Sequence, residues 1–310
     1  MSDDLLPQVH AALASIPGFE ALEPGAYPVT RLGGLTNLVF RVEVDGGPYV
    51  LRLPGKGTEG YIDRKVERHN AMVAAQAGVS AEVVHADAGT GLMLTRCIEN
   101  IVTMTPELFG NRAESPARAG TALRRLHTCG RAFESRFDLF PMIDGYLGIL
   151  KAKQSEFPPG YADVVAAAEP ARQALAAHPA PLAPSHCDPL CENFLDDGER
   201  MWIVDWEYSG MNDPLWDLGD LSVEAALTPG QDLEMMRAYL GGEPTDAQFG
   251  RMTVYKAMCD LLWTLWGLIQ HADGNPAEDF WAYGLDRLER CKALMGAPEF
   301  KGHVTAVARG

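Results

Sequence analysis

The sequence has no Cys-x-x-Cys pair and only six cysteines in 310 residues: Cys97, Cys129, Cys187, Cys191, Cys259 and Cys291. That excludes a disulfide scaffold, and free thiols in a reducing compartment are the expectation. No apolar run approaches the ~18 residues that cross a bilayer, so no membrane insertion is expected. The start, Met1-Ser2-Asp3-Asp4, lacks the basic residues of a secretion signal, and a cytoplasmic location follows as an expectation. Positive charge is short as well: 26 Lys+Arg stand against 42 Asp+Glu, a net charge of −16. A field of that sign repels nucleic acid and anionic membranes and tolerates cationic ligands. Repeats of fixed period and low-complexity tracts are missing apart from mild alanine enrichment, which excludes a solenoid. Tryptophan is absent from the first 200 residues; all six lie beyond.

What is present divides in two. Leu5, Leu6, Val9, Ala12 and Leu13 predict a short helix within 1–22. Over 38–45 the period changes to two, with Phe40, Val42 and Val44 alternating with Val39, Arg41, Glu43 and Asp45. Asp45-Gly46-Gly47 supplies a turn, and 27–53 reads as three antiparallel strands. A helix is predicted over 61–77, ended by Gly78, and short strands near 82–84 and 92–94. Beyond residue 100 the pattern is helical, over 114–128, 142–156, 160–178, 214–226, 230–240, 246–271 and 277–294. One β island interrupts it, 193–195 and 201–204 around Asp196-Asp197-Gly198. The expected organisation is a small β-rich lobe over 1–95, a hinge over 96–101 and a larger helical lobe over 102–310.

The segment richest in chemistry is His186-Cys187-Asp188-Pro189-Leu190-Cys191-Glu192-Asn193. It fits H-x-D-x-x-x-x-N, in which the Asp accepts the proton of an attacking hydroxyl and the Asn binds Mg²⁺. The β island then leads through Ile203-Val204 to Asp205, the position for a second metal-binding carboxylate. Phosphoryl transfer needs this pairing, one carboxylate to orient the nucleophile and another to hold the metal that neutralises phosphate oxygens. An Asp in such an octet can also serve only as a cap. His186, Cys187 and Cys191 are ligand types for zinc, although Cys-x-x-x-Cys has no second pair to complete a tetrahedral site.

The octet, the run Ile203-Val204-Asp205-Trp206-Glu207-Tyr208 and the run Asn212-Asp213-Pro214-Leu215-Trp216-Asp217-Leu218 resemble the choline/ethanolamine kinases, within the wider aminoglycoside-phosphotransferase group. The resemblance extends from about Leu32 to residue 292. It implies an α+β, bilobal protein-kinase-like fold, ATP and Mg²⁺ as cofactors, and choline as the cationic amino-alcohol acceptor. Ethanolamine, another amino alcohol or an aminoglycoside is the alternative acceptor, and a non-catalytic pseudokinase is the rival from another class. Cys187 and Cys191 depart from the family's commoner Asn and Gly.

The resemblance also gives roles to residues that are ambiguous on their own. Gly33, Gly34, Thr36 and Asn37 lie between two predicted strands, as a phosphate loop or a plain hairpin. Arg52 in the third strand matches the cation that grips the phosphates, and Glu67 the helical glutamate that orients it; both also read as surface charges. Trp263 and Trp266 share a helix face, suiting either core packing or cation–π recognition of an ammonium. The resemblance places Trp281 beside them, with Phe280 or Tyr283 as substitutes, and makes Glu224 the carboxylate facing the cation. His127 and Asp217 are read as structural.

Overall fold

Alternation at 38–53 becomes the centre of an antiparallel sheet. The computed structural model describes residues 5–32, 37–55 and 62–310. Helix α1 (Leu6–Ala14) precedes β1 (Val29–Arg31), β2 (Leu38–Val44) and β3 (Gly47–Leu53). After α2 (Arg64–Gln76), β4 (Val83–Ala86) and β5 (Met93–Arg96) complete five strands in the order β1-β2-β3-β5-β4. Phe40, Val42 and Leu51 are fully buried on one face against Val9 and Leu13 of α1. Phe40 pairs with Leu51 and Val39 with Arg52, so the period of two turns Arg52 to the opposite face.

Helix α2 begins at Asp63, whose carboxylate accepts from the amides of Lys65 (2.9 Å) and Val66 (3.3 Å). Its inner face joins the core of the helical body rather than that of the sheet, through Ala71, Val73 and Ala74. Polar bonds fasten it there. Asn70 Nδ2 donates to the carbonyl of Ser209 (3.0 Å), Arg125 Nε to that of Ala77 (2.9 Å), and the amide of Ile203 to the carbonyl of Val79 (2.8 Å).

The remaining elements are β6 (Val102–Thr103), α3 (Pro106–Asn111), α4 (Ser115–His127), α5 (Leu139–Ala152), α6 (Tyr161–Ala177) and β7 (Ala183–Ser185). A 3₁₀ turn at Cys191–Asn193 leads to β8 (Phe194–Asp196), β9 (Met201–Ile203) and β10 (Gly210–Asn212). Then follow α7 (Leu215–Glu224), α8 (Pro229–Leu240), α9 (Asp246–Ala272), α10 (Phe280–Gly296) and α11 (Phe300–Arg309). Thr228/Gln231 and Thr245/Gln248 are capping boxes that start α8 and α9. The 27-residue α9 is the spine of this body. Gly219 lets α7 close on it, since a Cβ there would meet the Met252 carbonyl at 2.7 Å.

The sheet, α2 and the seven expected later helices are all present. Elements without a sequence expectation are α3, α11, β6, β7 and β10. The strands among them have two or three residues, too few for a period, and Pro184 sits in β7. Among the described residues no helix is long and apolar enough to cross a membrane.

Candidate active site

The octet lies between β7 and the 3₁₀ turn, and Asp217 in the first turn of α7 gives it its shape. Asp217 Oδ2 accepts from the amide of His186 (2.7 Å) and Oδ1 from that of Cys187 (2.9 Å). His127 Nε2 meets Oδ2 at 2.9 Å, and its Nδ1 meets the Tyr239 hydroxyl at 3.0 Å. Cys187 has φ of 71°, a left-handed conformation unusual for a residue with a Cβ. Its two peptide groups are pinned, one by Asp217 and the other by Trp216 Nε1, which donates to the Cys187 carbonyl (3.0 Å). Asn or Gly would adopt that φ more readily, so the departure from the family's commoner residue is carried by this clamp. His186 Nε2 donates to the Val204 carbonyl (2.8 Å), and burial lowers the imidazole pKa, keeping the ring neutral.

Asp188 follows the clamp. Asn193 Nδ2 donates to its carbonyl (3.1 Å), which ties the two ends of the octet together. Burial first, then the carboxylates of Asp205, Glu224 and Glu207, push the Asp188 carboxyl well above the usual range, while Arg287 opposes the shift. Asp205 ends the β island with φ of 69° and faces Arg52 Nη1 at 3.9 Å. Glu67, Asp205 and Glu207 have carboxylate oxygens within 4.8 Å of one another. Burial raises the pKa of Asp205 despite Arg52 and Arg64, and burial together with Asp205 pushes Glu207 up to about 7.

Glu67 holds Arg52 by a buried ion pair and takes Arg64 Nη1 on its other oxygen (2.8 Å). Burial works against the Glu67 charge, but the two guanidinium groups outweigh it and hold the carboxyl below its ordinary value. Asn37 Nδ2 donates to Glu207 Oε2 (3.1 Å), and Asn37 Oδ1 accepts from the amide of Gly55 (3.2 Å). As the residue before β2, Asn37 thus ties that strand to the catalytic segment. Gly33, Gly34 and Thr36 lie outside the described residues.

Aromatic rings of α9 and α10 form a second cluster. Trp263 and Trp266 of α9 meet edge to face, with centroids 6.1 Å apart. Tyr208 packs on Trp263 (5.6 Å), and Phe280 and Tyr283 of α10 pack on Trp266 (5.5 and 5.8 Å). Gly267 makes room, since a Cβ there would sit 2.6 Å from the Tyr283 ring. Glu224, at the end of α7, takes Arg287 Nη1 at 2.5 Å and Arg290 Nη2 at 3.4 Å, both on Oε1. Asp260 is fully buried and shared by the same two arginines.

A family model described as "Phosphotransferase enzyme family" matches residues 29–248. The chain is 58% identical to a choline/ethanolamine kinase family protein from Mesorhizobium loti, whose crystal structure superposes with a TM-score of 0.91 over 98% of this chain and 99% of that one. The chain belongs to the choline/ethanolamine kinase family. The choline kinase LicA of Streptococcus pneumoniae is more distant, 27% identical with a TM-score of 0.72 over 87% of this chain and 93% of that one. Protein LicA of Haemophilus influenzae is 28% identical over 288 residues, covering 89% of this chain and 82% of that protein. The fold is the bilobal, protein-kinase-like α+β fold, and the chain is a small-molecule kinase.

Within this kinase the structure gathers most of the expected residues into two neighbouring groups. Asp188, Asn193, Asp205, Arg52, Glu67 and Asn37 form one; Trp263, Trp266 and Glu224 form the other. Trp281 is placed elsewhere and packs on His271 (5.4 Å), while Phe280 and Tyr283 take the face toward Trp266. Glu224 does not stand alone as the expected carboxylate, because Arg287 already pairs with it. Glu207, Arg64, Arg287, Arg290 and Asp260 had no role assigned from sequence. His186, Cys187 and Cys191 do not form a metal-ligand cluster among the described residues. Asn193 and Asp205 offer hard oxygen donors, with Glu207 beside Asp205, a donor set that suits Mg²⁺.

The clamp on the octet predicts a measurable loss. Asp217→Asn presents an N–H where a carboxylate oxygen had accepted, and leaves one buried amide unpaired. Such a group costs about 1–3 kcal/mol, so urea unfolding should register a loss of that size together with a reduced kcat. Native values of both would show that the loop keeps its shape without the carboxylate.

Proposed function

We propose that this kinase transfers the γ-phosphoryl group of ATP to the hydroxyl of choline, giving phosphocholine. The observation that carries the reading is the ring cluster of Tyr208, Trp263, Trp266 and Tyr283, in which Tyr283 feels the charges of Asp188 and Glu224 and Arg287 joins Glu224 to the Tyr283 ring. A quaternary ammonium donates no hydrogen bond, so ring faces and net charge must recognise it. A primary ammonium needs acceptors in place of its water shell, and the supply of carboxylates around Glu224 keeps ethanolamine as the second reading.

In this mechanism Arg52, oriented by Glu67, grips the phosphates, and Asn37 links the start of β2 to Glu207. Asn193 and Asp205 would hold Mg²⁺, which supplies positive charge to the phosphate oxygens. Asp188 accepts a hydrogen bond from the acceptor hydroxyl, aims its oxygen at the γ-phosphorus and takes the proton as the new O–P bond forms and the bond from the γ-phosphorus to the β–γ bridging oxygen breaks, ADP leaving with that oxygen. The segment 96–101 serves as the hinge beneath the base, and the kinase works in the cytoplasm.

The test is kcat/KM with Mg-ATP for choline, ethanolamine, thiamine and kanamycin, choline being the best substrate. A preference for ethanolamine would move the assignment to the second reading, and no turnover of any acceptor would favour a pseudokinase. Trp266 is the better ring to remove because it is half-buried, whereas Trp263 is buried. Trp266→Leu keeps apolar bulk and removes the π face. Each cation–π contact contributes ~0.5–2 kcal/mol, so choline should lose roughly tenfold in kcat/KM and ethanolamine less. Equal losses would make the ring a packing residue only.

A further inference from the structure

Arg287 is the feature of the acceptor side that the reaction does not explain. A cation in a site for cations is costly by simple Coulomb repulsion, yet this one is deeply buried. Its Nη1 donates to Glu224 Oε1 at 2.5 Å and to Asp260 Oδ1 at 3.4 Å, and its guanidinium lies 4.7 Å from the centroid of Tyr283. Tyr283 in turn packs on Trp266. Arg287 therefore already occupies what an incoming ammonium would seek, a carboxylate oxygen and an aromatic face. Asp260 does not need it. Arg290 Nε lies 3.2 Å from both Asp260 oxygens, and Arg290 Nη2 also bonds to Asp260.

We propose that Arg287 is a specificity-determining residue that selects for the methylation state of the acceptor nitrogen. By committing Glu224 Oε1, with Arg290 Nη2 at 3.4 Å on the same atom, it removes one carboxylate oxygen from the hydrogen-bond acceptors that the site can offer and leaves the ring faces untouched. A trimethylammonium group loses nothing in such a site, because it has no donors. An NH₃⁺ group has three donors and meets one acceptor fewer than it would without Arg287. This rests on the amino-alcohol reading above and adds the device by which one amino alcohol is preferred to another.

The experiment measures kcat/KM for ethanolamine, N-methylethanolamine, N,N-dimethylethanolamine and choline in the wild type, Arg287→Met and Arg287→Lys. Methionine removes charge and donors while its thioether still packs on the Tyr283 ring. Lysine keeps a donor for Glu224. In the wild type kcat/KM should climb with each methyl group. A hydrogen bond to a charged group is worth roughly tenfold or more. Arg287→Met should therefore shrink the choline-to-ethanolamine ratio by about tenfold, mainly through a gain for ethanolamine, and Arg287→Lys should hold the ratio near that of the wild type. If Arg287→Met does not fold, Arg287→Gln, shorter and uncharged, should shift the ratio in the same direction. Losses in equal proportion for all four acceptors in a folded variant would overturn the proposal and make Arg287 a structural cation. Absence of wild-type turnover for the entire series would instead overturn the amino-alcohol reading on which it rests.

Discussion

Asp188→Asn should lower kcat by about 10²–10⁴-fold, the usual worth of a positioned general base, while nucleotide affinity changes little. The substitution keeps the shape of the side chain and removes only its capacity to take a proton. The octet should survive it, because Asn193 bonds to the Asp188 main-chain carbonyl and not to the carboxylate. The clamp from Asp217 lies two peptide groups upstream and is equally indifferent. Stability should not suffer either. Burial and three nearby carboxylates hold the Asp188 carboxyl well above its ordinary range, so a neutral amide suits the free protein better than an ion. Turnover and nucleotide binding measured side by side test the assignment. Near-native kcat in a folded variant would assign the base to another group.

Residues that act at short range could be read directly from the sequence. Asp188, Asn193 and Asp205 stand in one stretch of chain, and their spacing reports a loop followed by a β turn. The sheet was legible because β2 and β3 are long enough to alternate fully. Partners far apart in sequence left no local trace. Asn37 meets Glu207 across 170 residues, and Glu224 meets Arg287 across 63. No window of sequence pairs them, and that is why Glu224 looked like a lone carboxylate. The expectation for Trp281 could have been improved by phase alone. Phe280, Tyr283 and Arg287 follow i, i+3 and i+7 and share one face of α10, whereas Trp281 falls off it. Helix α11 carried a similar signal in Phe300, Val304 and Val307, which all pack on the core. The strain at Cys187 has no sequence signature, since only the fold tells which residue must take a positive φ.

Asp205→Asn should make the free protein more stable at alkaline pH and nearly inactive. The two effects share one cause, the crowding of carboxylates that a divalent cation would relieve. Activity should fall because the amide is a poorer ligand for Mg²⁺. Metal stabilisation of phosphoryl charge is worth several kcal/mol, and each 1.36 kcal/mol is tenfold, so about three orders of magnitude are at stake. The stability change follows from the direction of the pKa shifts. Burial raises Asp205 in the folded protein, and Arg52 and Arg64 do not fully offset it; Glu207 is pushed up to about 7. A carboxyl whose folded pKa exceeds its unfolded one favours the fold below the unfolded value, near 4. That contribution is lost as pH rises through the folded pKa. Asparagine has no proton to lose, and removing the Asp205 charge also relaxes Glu207. Relative to the wild type, the variant should gain in melting temperature as pH rises above about 4, and the gain should still be growing near 7, where Glu207 loses its proton. Adding Mg²⁺ should narrow the difference by stabilising the wild type alone. A lower melting temperature for the variant at pH 8 would mean that the attraction between Asp205 and Arg52 outweighs the crowding, and the metal would then be binding to a site already balanced in charge.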